Sequence, residues 1–195
     1  MLRRVLGVGI LVLFVTGLSA APAHTITVIG ARGDNLNLEA LPEGNSVVIG
    51  THGDDEFGRL LLDDNRVFGG FGDDRISGPA PVFADGIFGA DRNTFNGGPG
   101  QDSISGRLTG IAGDGNTFVG GADDDNISSQ DRAVTGFGNT FLGGGGNDTI
   151  QGGTAAISGD GNTFDGGPGV DLLIGDVFGN NNTCLSVENV GPTCE

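Results

Sequence analysis

The sequence predicts an all-β chain built as a parallel β-solenoid, a β-roll or β-helix with coils of about 23 residues. Three observations carry this. A segment recurs four times at one fixed interval, as NTFNGGPGQDSI from Asn93, NTFVGGADDDNI from Asn116, NTFLGGGGNDTI from Asn139 and NTFDGGPGVDLL from Asn162. Apolar residues keep step with that interval. The chain holds 40 glycines, each costing roughly 1 kcal/mol relative to alanine inside a helix, so helices are excluded as the main element.

Taken in chain order, the first element is a leader. Arg3 and Arg4 precede an uncharged apolar stretch over residues 5–18, and Ala21-Pro22-Ala23 fits a cleavage site, so residues 1–23 read as a signal peptide and the mature chain starts at His24. An uncleaved anchor is the alternative, but the stretch is shorter than the roughly 20 residues a spanning helix needs. No later stretch could span a membrane. The expected location is therefore secreted, either extracellular or attached to the cell envelope.

Residues 24–176 form the expected solenoid. One apolar column is Phe95, Phe118, Phe141 and Phe164; a second is Ile104, Ile127, Ile150 and Leu173; a third is Phe88, Ile111, Val134 and Ile157. Short apolar pieces bounded by Gly, Asn and Asp read as strands joined by tight turns. Stacking makes each column a strip of core that no single coil could bury alone. The column Asn93, Asn116, Asn139 and Asn162 is expected to hydrogen-bond along the stack.

Residues 177–195 read as a C-terminal cap holding Cys184 and Cys194, the only cysteines. An even pair in an exported chain reads as a disulfide. Free thiols or a metal site are the alternatives, and the latter lacks partners because both histidines lie at the other end of the sequence.

Charge narrows the partners. The chain carries 25 acidic residues against nine basic ones, all arginine, for a net charge of −16. Nucleic acid and anionic lipid are poor partners for such a chain. Metal cations fit better, and an envelope or extracellular polysaccharide or protein is compatible.

The residues that carry chemistry lie in a nine-residue block, G-G-x-G-x-D-x-U-x with U a large apolar residue. It is complete in GGFGDDRIS from Gly69, GGPGQDSIS from Gly97, GGGGNDTIQ from Gly143 and GGPGVDLLI from Gly166. GGADDDNIS from Gly120 places Asp123 where the fourth residue should be Gly. GTHGDDEFG from Gly50 lacks the second Gly, and GARGDNLNL from Gly30 is weaker still. This pattern resembles the RTX nonapeptide family, over about residues 30–174. The resemblance implies a calcium-binding β-roll, with Ca2+ held by turn carbonyls and the Asp at position six. On this chain those residues are Asp74, Asp102, Asp125, Asp148 and Asp171, with Asp55 the weakest match.

Simple physics leads the same way. Stacked Asp residues about 5 Å apart repel by roughly 1 kcal/mol even at bulk-water screening. A hard divalent cation bound by carboxylate and carbonyl oxygen would relieve that. The chain departs from the family in that successive blocks do not follow one another directly. A segment longer than the block itself separates them, which predicts one calcium column rather than two. The earlier spacing is uneven: Gly50 to Gly69 is shorter than the regular interval and Gly69 to Gly97 is longer, which predicts less regular N-terminal coils.

No catalytic constellation stands out. With two histidines, no Lys, no Tyr and no Trp, acid–base options are few. The reading is a non-catalytic structural or adhesive module folded by Ca2+. The alternatives are a secreted polysaccharide lyase or hydrolase on a parallel β-helix, and a calcium-independent solenoid that binds glycan or ice.

Overall fold

The computed structural model describes residues 11–14, 26–29, 37–38, 47–57, 64–77, 91–105, 113–128, 136–152 and 157–189. The strands are β1 (Leu11–Phe14), β2 (Ile26–Ile29), β3 (Asn37–Leu38), β4 (Val47–Ile49), β5 (Glu56–Phe57), β6 (Arg66–Phe68) and β7 (Arg75–Ser77). They continue as β8 (Thr94–Pro99), β9 (Ser103–Ser105), β10 (Thr117–Ala122), β11 (Asn126–Ser128), β12 (Thr140–Gly145) and β13 (Thr149–Gln151). The last are β14 (Ile157–Ser158), β15 (Thr163–Asp165), β16 (Leu172–Ile174), β17 (Val177–Phe178), β18 (Thr183–Leu185) and β19 (Glu188–Asn189). No helix among the described residues is long and apolar enough to cross a membrane.

The architecture is a parallel β-solenoid. One nine-stranded sheet runs β1-β2-β4-β6-β8-β10-β12-β15-β18, and an eight-stranded sheet runs β19-β16-β13-β11-β9-β7-β5-β3. β14 and β17 pair as a third, smaller strip. Among the described strands every pairing is parallel except β1 with β2. β1 lies within the segment read as a leader.

The register is like upon like. Phe95 pairs with Phe118, Phe118 with Phe141, and Phe141 with Phe164. The ring centroids are 5.3, 4.9 and 5.0 Å apart up this column. Each such stack adds about 0.5–1.5 kcal/mol beyond the burial itself. Opposite them Ile104, Ile127, Ile150 and Leu173 stack in the second sheet. The core is these two facing columns, buried throughout except at Phe95, which is partly buried.

Both columns extend past the regular repeats. Val48 and Val67 precede Phe95, and Phe57 and Ile76 precede Ile104. Thus the coils on either side of Gly69 keep full register in the described strands despite their uneven spacing, and the difference in length lies in the connections. Of the third apolar column, Phe88, Ile111, Val134 and the side chain of Ile157 lie outside the described residues.

The segment after residue 176 continues the stack. Val177 is buried, β18 pairs with β15, and β19 pairs with β16. Cys184 sits in register on Phe164, in the Phe column. Its thiol is not free; Cys194 lies outside the described residues.

At one turn, buried asparagines form a ladder. The amides of Asn65, Asn93, Asn116, Asn139 and Asn162 each donate to the Oδ1 of the next coil's Asn, at 2.8–2.9 Å, ending on Asn182. The Nδ2 groups of Asn139, Asn162 and Asn182 donate to the carbonyls of Gly113, Gly136 and Gly159. The Asn column is therefore a structural ladder whose donors and acceptors are matched.

Candidate functional site

At the other turn the nonapeptide aspartates form a second ladder with the same backbone geometry. The amide of Asp55 donates to Asp74 Oδ1, Asp74 to Asp102, Asp102 to Asp125, Asp125 to Asp148, and Asp148 to Asp171, all at 2.7–2.8 Å. All six aspartates are at most 3% exposed. The six site residues expected from the sequence thus share one column inside the solenoid.

The two ladders differ in one atom per rung. Where Asn presents Nδ2, a donor, Asp presents Oδ2, an acceptor. The Oδ2 atoms of Asp74, Asp102, Asp125, Asp148 and Asp171 are buried without a hydrogen-bond partner. Leaving such an oxygen unsatisfied costs about 1–3 kcal/mol, more if it is charged.

The first glycine of each block shows what these oxygens face. A Cβ added to Gly69, Gly120 or Gly143 would lie within 2.5 Å of two oxygens at once. One is Oδ2 of that block's own aspartate: Asp74, Asp125 or Asp148. The other is the carbonyl of the following coil's first glycine: Gly97, Gly143 or Gly166. Only glycine leaves this cradle open. Two acceptor oxygens meeting in a dry pocket repel unless a proton or a cation lies between them.

The acidities agree with that picture. Burial is the main cause pushing Asp74 up to about 7, Asp102 to about 6 and Asp125 to about 8, and it also raises Asp148. The amide bond from the previous coil opposes the rise in each case. Neighbouring carboxylates reinforce it, Asp102, Asp148 and Asp123 around Asp125.

Asp55 stands apart, as its incomplete block suggests. Thr51 occupies the second-glycine position. Its amide donates to Asp55 Oδ2 at 2.5 Å and its hydroxyl to Oδ1 at 3.1 Å. Both carboxylate oxygens at this rung therefore have donors.

Asp123 holds the fourth position of its block, where Gly72, Gly100 and Gly146 have positive φ. It adopts φ 79° itself, so the turn is preserved at a cost in backbone strain.

Outside the buried ladder runs an exposed one of opposite sense. Asp73 donates its amide back to Asp54 Oδ1, Gln101 to Asp73, Asn147 to Asp124 and Val170 to Asn147. Among the described residues no three Asp, Glu, His or Cys side chains gather into a metal-binding group. A cation at a rung would therefore rest on one buried carboxylate, backbone carbonyl oxygen and water, a donor set that suits a hard ion.

The motif does not reveal the ladder's last member. The Asp171 amide donates to Glu188 Oε2 at 2.7 Å. Glu188 belongs to no nonapeptide, and only the spatial stacking of β19 on β16 exposes its role.

Comparison with protein-family models, characterised proteins and solved structures finds no match for this chain.

Proposed function

We propose that the chain is a secreted calcium-binding β-solenoid, a non-catalytic structural or adhesive module whose folding is driven by Ca2+. The observation that carries this is the row of five buried, unpartnered carboxylate oxygens, four of which share a glycine cradle with a carbonyl from the next coil. The likeness of four blocks to the RTX nonapeptide favours calcium over other cations. The leader-like residues 1–23 favour export.

Asp74, Asp102, Asp125, Asp148 and Asp171 would hold the ions, with Asp55 the weakest because Thr51 already satisfies it. A bound divalent ion supplies positive charge to oxygens that otherwise have only a proton to share. The chain's own contribution is to hold those oxygens in a fixed, dry column. Any ion that binds the folded column and not the unfolded chain stabilises the fold by mass action.

The test is circular dichroism of residues 24–195 after exhaustive chelation, titrated with Ca2+ to about 10 mM, since extracellular modules often bind near 0.1–1 mM. A coil-to-β transition selective for Ca2+ over Mg2+ is expected. A β-spectrum indifferent to chelator and calcium would refute the reading.

One observation favours a second reading, the calcium-independent solenoid that binds glycan or ice. Thr94, Thr117, Thr140, Thr163 and Thr183 form an outward ladder on the first sheet, beside Asn96, Val119 and Leu142. The threonine column is uncharged from Thr94 to Thr183, in a chain of net charge −16, although Arg66 precedes Thr94 and Asp165 follows Leu142 in the same two columns. Calcium-indifferent folding combined with retention on a neutral polysaccharide, or with inhibition of ice growth, would favour it.

A further inference from the structure

The ladder ends in a segment with no nonapeptide, yet its last rung is built like the others. At Gly69, Gly120 and Gly143 two oxygens converge on the first glycine, the Oδ2 of the block's own aspartate and the following coil's first carbonyl. The following coil's ladder carboxylate accepts the aspartate's amide. At the last rung Asp171 Oδ2 is buried and unpartnered. A Cβ on Gly166 would lie within 2.5 Å of both that oxygen and the Ser186 carbonyl. Ser186 thus stands where the next first glycine would be. Glu188 supplies the carboxylate, accepting the Asp171 amide at 2.7 Å.

Register explains why this residue is Glu. Glu188 pairs with Leu172, so the position following Asp171 up the ladder belongs to Val187, which packs against the core. A carboxylate one residue further along must reach back, and the extra methylene of Glu provides the length. The φ of 47° at Ser186 turns the chain sharply enough to bring its carbonyl over Gly166 with only Val187 between it and Glu188.

We propose that Asp171, the Ser186 carbonyl and Glu188 form a terminal divalent-cation site, with Glu188 as a metal ligand supplied from outside the repeats. Because Glu188 is exposed, this site opens to solvent more than the inner rungs do. The inference rests on the calcium reading above, and the test separates the two.

Calcium stoichiometry is measured by equilibrium dialysis for the wild type and for Glu188→Gln, Glu188→Asp and Asp148→Asn, with circular dichroism confirming a β-fold at saturating Ca2+. Glu188→Gln keeps an acceptor for the Asp171 amide but removes the charge. Glu188→Asp keeps the charge but withdraws it by a methylene. Each is expected to bind one ion fewer than the wild type, leaving the inner sites intact, as is Asp148→Asn for an inner rung. Full stoichiometry in both Glu188 variants, with a loss in Asp148→Asn, would overturn the terminal site and leave the calcium reading standing. No bound calcium in the wild type would overturn both.

Discussion

Replacing Asp125 by Asn at the middle of the buried ladder exchanges a single oxygen for an NH2 group. The acceptor for the Asp102 amide, 2.7 Å away, is retained. The orphaned Oδ2 becomes a donor beside the Gly143 carbonyl of the following coil; in the Asn ladder the Asn139 side-chain amide likewise donates to a glycine carbonyl, there Gly113 of the preceding coil. Asp125 is held at about 8, against 3.8 when unperturbed. A group with its folded pKa raised stabilises the fold below its unfolded pKa and loses that contribution as pH climbs through the folded value. For Asp125 the window runs from about pH 4 to 8. At about 1.4 kcal/mol per pH unit the full span corresponds to roughly 6 kcal/mol. Water entry and relaxation of the neighbouring carboxylates reduce this, so a gain of about 2–3 kcal/mol is the expected reading at pH 8.

Calcium-free Asp125→Asn is therefore more stable than the wild type at pH 8, and the two converge near pH 4, where Asp125 carries its proton. Saturating calcium reverses the order at pH 8, because the variant has lost a ligand. Urea melts followed by circular dichroism, at pH 4, 6 and 8 with and without Ca2+, measure all three effects. A variant less stable than wild type at pH 8 without calcium, or a difference that does not change with pH, would refute the reasoning.

Three other outcomes are expected. Gly143→Ala places a methyl group within 2.5 Å of Asp148 Oδ2 and the Gly166 carbonyl; it should cost about 1–3 kcal/mol through overpacking and blunt the calcium response in the same dichroism titration. Asp123→Gly relieves a left-handed φ of 79° and removes a charge that raises Asp102 and Asp125; it should raise the calcium-free stability in urea melts, by about 1 kcal/mol from the backbone alone. Alkylation of the unfolded, unreduced chain should leave Cys184 and Cys194 unlabelled until a reductant is added, as read by intact mass; labelling without reductant would exclude the disulfide.

Periodicity alone made the solenoid legible. A fixed interval that keeps Phe with Phe, Ile with Ile, Asn with Asn and Asp with Asp has one economical solution, coils stacked in register, and Phe118, Ile127, Asn116 and Asp125 all lie in the columns that interval assigns them. The complete blocks likewise marked Asp74, Asp102, Asp148 and Asp171 as one set. Irregular spacing hid Val48 and Val67, which join the core although the intervals between their coils are uneven, because strand pairing constrains only the strands and lets the connections vary. Phe57 and Ile76 stand at the large apolar position of their blocks and were marked by the motif.

The direction of the carboxylates needed the tertiary structure. A repeat states that aspartates align, but not that they turn inward and form a rung matched to that of the asparagines, with one oxygen left over. That depends on the previous coil's amide and the next coil's carbonyl, groups every residue possesses and no motif records. Thr51 satisfying Asp55, and Glu188 reaching back past Val187 to Asp171, are invisible to the pattern for the same reason. Identity and spacing determined which residues stack; the register and reach of neighbouring coils decided which oxygens are satisfied and which still lack a partner.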